Sequence, residues 1–132
     1  GVKSMKLKAS DHVVAMHVIP NRATQQQVVV ITEEGFGKRT DLKEYRLQGR
    51  SGSGIKTASI TAKTGELINA ALIPTDQVAN TDILIISKKG QVIRIPALSV
   101  KEQGRSTQGV RVMRPTAHSG KVAAFTAWTE TK

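Results

Sequence analysis

The stretch GRSGSGIKT, residues 49 to 57, sets Gly49 and Gly54 at the spacing of a phosphate-cradling loop that ends in Gly-Lys-Thr. Ile55 intervenes before Lys56, so the lysine and hydroxyl are displaced from where nucleotide phosphates require them. A related stretch, GRSTQGVRV from 104 to 112, has no lysine at all. Nucleotide binding is therefore not expected. The chain also lacks cysteine, which removes thiolate nucleophiles, disulfides and thiolate metal sites. His12 and His17 stand five positions apart, His118 stands by itself, and no set of acids completes a metal site around them. Tyr45, between Glu44 and Arg46, has the setting of an activated nucleophile, but the corresponding position before the second stretch holds Val100, which makes it a packing tyrosine. Ser51 and Ser106 have no histidine at a shared offset. No catalytic residue, metal or cofactor is expected.

What recurs in both stretches is cationic. Arg39 and Arg94 close a strand pattern, Arg50 and Arg105 sit among glycines, and Lys56 and Arg111 follow the last glycine of each loop. Gly49, Gly54, Gly104 and Gly109 let a backbone approach a ligand closely, while arginine forks onto phosphate oxygens. These six cations are the candidate contacts to a phosphate backbone, and the four glycines shape the loops that present them. The alternative is architectural: the glycines make a sharp corner between strands and the arginines cap carbonyls.

The recurrence extends well beyond the loops. A shift of 55 positions aligns residues 28–73 with 83–128 without a gap, matching Ile31 to Ile86, Gly35 to Gly90, Arg39 to Arg94 and Gly65 to Gly120. Residues 1–27 resemble the second half of a further copy, with Gly1 standing where Gly109 stands. The expected division is 1–27 as a half-repeat, 28–82 as a first full repeat, and 83–132 as a second full repeat with the C-terminal end.

Each full copy reads as short strands punctuated by turns. VVVIT and ILIIS lead through Gly35 and Gly90 into FGKRT and QVIRI, two hairpin patterns. A short helical turn or loop follows, where Pro96 discourages a central strand. Next come the glycine-arginine loop, a strand near residues 55–60 or 110–113, and a last strand in LINAALI or KVAAFTAW. About four antiparallel strands per copy predict an all-β, propeller-like blade, in a partial array of about two and a half repeats. No long amphipathic helical pattern supports an α/β fold.

With a net charge of +10 over 132 residues, the surface attracts polyanions through phosphate contact and counterion release. Phe36, Tyr45, Phe125 and Trp128 are the only aromatic residues, too few for a single-strand stacking platform, so duplex backbone contact fits better. The second copy dominates the field: residues 28–73 carry seven Lys and Arg against five Asp and Glu, whereas 83–128 carry eight against one. No run is long and apolar enough to span a bilayer, so a chain without membrane partners is expected.

The runs VVVITEEGFGKRTDLKEYRLQGRSGSGI and ILIISKKGQVIRIPALSVKEQGRSTQGVRVM resemble consecutive repeats of the C-terminal domain family of the DNA gyrase A protein, with the topoisomerase IV relative as the nearest alternative. The resemblance implies a β-pinwheel whose neighbouring blades exchange strands and around whose basic rim duplex DNA wraps. It also implies a non-catalytic part of an ATP-dependent, bacterial cytoplasmic type IIA topoisomerase. The partners would be double-stranded DNA, further blades, a breakage-reunion domain and the gyrase B protein. The family's Q-R-R-G-G-x-G box is absent: the loops here read QGRSGSG and QGRSTQG, the pattern of later blades. Tyr45 does not inherit the family's cleavage tyrosine, which lies upstream. A basic propeller scaffold for protein partners is the competing expectation.

Overall fold

A computed structural model describes residues 1–19 and 25–130. Residues 20–24 of the expected half-repeat and the last two residues of the chain lie outside the described part. In chain order the elements are β1 (Gln26–Thr32), β2 (Phe36–Asp41), a 3₁₀ turn (Leu42–Glu44), β3 (Leu67–Pro74), a 3₁₀ segment (Thr75–Asn80) and β4 (Thr81–Ser87). Then follow β5 (Val92–Pro96), a 3₁₀ turn (Ala97–Ser99), β6 (Val110–Arg111) and β7 (Val122–Thr129). The strands form two antiparallel sheets, ordered β3-β1-β2-β6 and β5-β4-β7, so the all-β class holds. No helix among the described residues is long and apolar enough to cross a membrane.

The hairpins form where the sequence places them, and for the same local reason in each copy. Gly35 and Gly90 adopt φ of +82° and +83°, and their N–H groups donate to Thr32 and Ser87 across a tight turn. The hydroxyls of Thr32 and Ser87 accept from the backbone N–H of Phe36 and Gln91, which closes the turn a second time. The later corner is duplicated as well. Thr64 and Ser119 accept from the N–H groups of Thr61 and Thr116, and Gly65 and Gly120 follow, each at φ +69°. These corners dock on the hairpin turns through Glu34 N–H to Thr64 and Lys89 N–H to Ser119.

The two sheets enclose one core. Val29 and Ile31 of β1 alternate toward it, as do Ile83 and Ile85 of β4, and Ile73, Val78, Ala97, Val100, Met113, Val122 and Phe125 complete it. The sheets differ on their other faces. Along β1 the buried residues run nearly continuously, because Val28 and Val30 also line an apolar groove with Val13, Val14 and Ala58. Along β4 burial alternates, and Ile86 is exposed.

The fourth strand of the first sheet belongs to the second copy. Val110 and Arg111 pair with Gly37 and Phe36, and Val112 and Met113 donate to the Gly35 carbonyl. No strand forms over residues 55–60, the matching segment of the first copy. A strand of this kind pairs with the outer edge of a preceding hairpin, and residues 1–19 offer none. That segment's loop instead lies along the N-terminal residues, through a Met5–Gly52 bridge and the Ser51 N–H to Ser4.

Gly109 shows how close this exchange is. Its φ is +88°, and a Cβ there would stand 2.6 Å from the Gly37 carbonyl oxygen. Gly54 has φ +81° but open space around it. Gly54→Ala is expected to cost about 1 kcal/mol, the strain of a left-handed residue alone. Gly109→Ala is expected to cost about 3 kcal/mol or more, because the exchanged strand must also move. Urea unfolding of the two variants checks the difference.

Candidate nucleic-acid interface

The outer edge of β2 organises the second copy's glycine-arginine loop. Arg39 donates its backbone N–H to Lys101 and accepts from Gln103, while the Thr40 hydroxyl donates to the Gln103 carbonyl at 2.8 Å. The chain then arches away through residues 104–108 and returns at Gly109 to pair as β6. Lys38 fills the arch from below. Its Nζ donates to the carbonyls of Gly104, Arg105 and Thr107 at 2.7, 2.8 and 2.9 Å, and lies 3.2 Å from the Thr107 hydroxyl. Burial pushes the pKa of the Lys38 ammonium down to about 8, with Glu44 opposing the shift and Arg105 and Lys56 adding to it. At neutral pH the group keeps its proton, and its three donors match three carbonyls.

The six candidate cations occupy different settings. Arg39 is buried: its Nε donates to Val100 and its Nη1 to the Gln27 side chain, at 2.6 and 2.5 Å. The structure places it inside, between the copies, with the capping role weighed as its alternative. Arg94 holds the same place in the second sheet, where Asp82 stands at the position of Gln27. It remains exposed, with Nε 2.6 Å from Asp82 and its guanidinium 4.8 Å from the Trp128 ring centroid. Arg50 and Lys56 are exposed. Arg105 is half-buried, donating through Nη1 to the Lys56 carbonyl at 2.9 Å, and its Nε has no partner among the described residues. Arg111 is exposed, donates to the Glu34 carbonyl at 3.0 Å and lies 4.5 Å from the Phe36 ring centroid.

The fold thus brings Arg105 of one copy against Lys56 of the other, although 49 positions separate them. It does not bring Arg94 into that group by any recorded contact. Among the loop glycines, Gly109 and Gly54 are required by their φ, whereas Gly49 has open space and a Cβ at Gly104 would stand in ordinary contact with a Glu44 carboxylate oxygen, at 3.4 Å. Two cations escaped the sequence pattern. Lys63 sits over the Phe36 ring at 5.5 Å, on the same aromatic residue as Arg111. Lys38 is the other, and its only signal was that the second copy has Ile93 at the matching position.

Two of the acids are paired with lysines. Glu33 and Glu34, in the first hairpin turn, meet Lys88 and Lys121 of the second copy at 3.8 and 3.0 Å. The hydrogen bond and charge of Glu34 raise the pKa of the Lys121 ammonium. Tyr45 bonds to the Thr57 hydroxyl, in keeping with packing. Among the described residues, no group of three or more His, Asp or Glu could hold a metal ion. Arg39→Ala should lower stability by about 2 to 4 kcal/mol, because it leaves the buried Gln27 and Val100 acceptors unpaired. Arg94→Ala removes only an exposed pair and should cost less than about 1 kcal/mol. Thermal denaturation of both variants tests the contrast.

Comparison with known proteins meets this geometry. The family model described as DNA gyrase C-terminal domain, beta-propeller, matches residues 1–20, 26–74 and 81–123. The DNA gyrase A protein of Staphylococcus epidermidis strain ATCC 12228 is 37% identical over 114 residues, covering 86% of this chain and 12% of that protein. The Staphylococcus aureus strain MRSA252 protein of the same name gives the same identity and coverage. The chain therefore spans only about an eighth of the length of these relatives. Among solved structures, the C-terminal domain of DNA topoisomerase IV superposes with a TM-score of 0.82 at 20% identity, over 97% of this chain and 38% of that one. The DNA gyrase A C-terminal domain superposes with a TM-score of 0.67 at 22% identity, over 75% of this chain and 32% of that one. At those identities the superpositions speak for the fold, and the family match and the relatives speak for descent: the chain belongs to the DNA gyrase C-terminal domain, beta-propeller family.

Proposed function

We propose that this unit binds duplex DNA through its phosphates and wraps it, as a non-catalytic part of a type IIA topoisomerase of the gyrase kind. The single observation that carries the reading is the junction of Arg105 with Lys56, where the loop of one copy and the matching segment of the other form a joint cationic surface. Arg50, Arg111 and Lys63 are further exposed cations of the chain, and Arg94 adds charge on the second sheet. Arg39 is left out because its side chain is enclosed. The pairing of Glu33 and Glu34 with lysines lowers the repulsion that their carboxylates exert on a polyanion. In this reading residues 1–27, 28–82 and 83–132 are successive units of a longer cytoplasmic protein. Its other blades, its breakage-reunion domain and the gyrase B protein supply the ATP-driven strand passage, and this unit needs no cofactor.

Curving DNA costs on the order of 1 to 6 kcal/mol per 20 to 30 base pairs, so wrapping must draw on many phosphate contacts spread over many blades. The chain by itself should bind more readily than it bends. A protein-binding scaffold is the second reading, favoured by the exposed apolar residues Val92 and Trp128 of the second sheet and Leu98 in the turn that follows β5.

Duplex affinity measured against salt decides between them. The proposed function requires a log–log slope of about −0.9 for each phosphate neutralised, with little dependence on base sequence. With Arg39 kept, neutralising Arg94, Arg105 and Arg111 should weaken binding more, per charge removed, than neutralising Arg50 and Lys56, since the second copy dominates the charge. Binding that ignores salt would sink the DNA reading.

A further inference from the structure

Among the described residues, Lys38 is the one lysine with no exposed surface, and nothing in the proposed function uses it. It lies in the interior of β2, at a position the second copy fills with Ile93, so the sheet itself does not require an ammonium there. All its recorded partners lie in one short arch: the carbonyls of Gly104, Arg105 and Thr107, and the Thr107 hydroxyl. The charged groups around it are Glu44, Arg105 and Lys56. Glu44 also accepts the backbone N–H of Arg105, at 3.3 Å, and so holds the arch from the side.

An arch whose carbonyls converge on a buried cation has little freedom to turn them outward. Carbonyl oxygens without a donor are costly to bury and would rotate toward water. That rotation carries the intervening residues with it. We propose that Lys38 is a positioning residue for the loop of residues 103–109: its ammonium gathers the Gly104, Arg105 and Thr107 carbonyls inward and fixes Arg105 beside Lys56, where a DNA phosphate can meet both. The inference rests on the DNA-binding reading above. Lys38 itself never touches the nucleic acid, because it is enclosed.

The test compares Lys38→Ile, Arg105→Ala and the double variant of the same chain, with backbone amide NMR of residues 104–107 and duplex binding across a salt series. Isoleucine is the residue the second copy carries at this position, and Lys38→Met, with a longer unbranched stem, is the second variant should the first fail to fold. Loss of ordered signals across the arch is expected, with duplex binding weakened and the salt slope reduced by about 1, as for Arg105→Ala. The double variant should lose no more than either single one. An arch that stays ordered without Lys38, or losses that add in the double variant, overturns the proposal. If the arch loosens while neither variant changes duplex binding, Lys38 does hold the loop, and the DNA reading of that loop is what falls.

Discussion

The outer edge of β2 cannot be satisfied by its own repeat. Its hydrogen-bonding groups and two cationic side chains, Lys38 and Arg39, are met by residues 100–113 of the following copy. That segment enters beside Arg39, arches over Lys38 and returns as β6, and its Met113 then reaches the shared core. A buried lysine and a buried arginine would be destabilising without these carbonyl acceptors, so the enclosure of both depends on the reach of the second copy. One copy does not complete a four-stranded blade here, and its neighbour supplies the missing strand.

The same dependence assembles the cationic surface. Arg105 belongs to the second copy and Lys56 to the first, and they become neighbours only because the loop folds back over β2. Glu33 and Glu34 lie in the first hairpin turn, a second place where the copies meet, and Lys88, Lys121 and the Arg111 guanidinium gather around it. The contact that joins the blades is thus also the contact that sorts the charges.

Much of this was legible in the residues. The β-branched and apolar runs VVVIT and ILIIS, with Gly35 and Gly90 at the turns, placed both hairpins, and the 55-residue register placed their equivalence. What the sequence could not separate was Arg39 from Arg94. The two match in the alignment, yet one is enclosed by the next copy and the other is exposed on the last sheet, a difference of neighbourhood that residue type does not carry. Lys38 was overlooked for a related reason. A lysine within a strand reads as a solvent-facing charge until the carbonyls that surround it, 66 to 69 positions away, are in place. The strand expected over residues 55–60 failed because a strand needs an edge to pair with, and local propensity supplies none.

The central claim is that the two copies fold as one unit, held by the exchanged segment. Trp128 lies in the second sheet and Tyr45 beside the first, so each reports on its own copy. Urea unfolding followed by Trp128 fluorescence, alongside amide exchange of β1, measures whether they separate. A single coincident transition is the predicted result. Two transitions at different urea concentrations, with β1 still protected after the Trp128 signal is lost, would contradict the account.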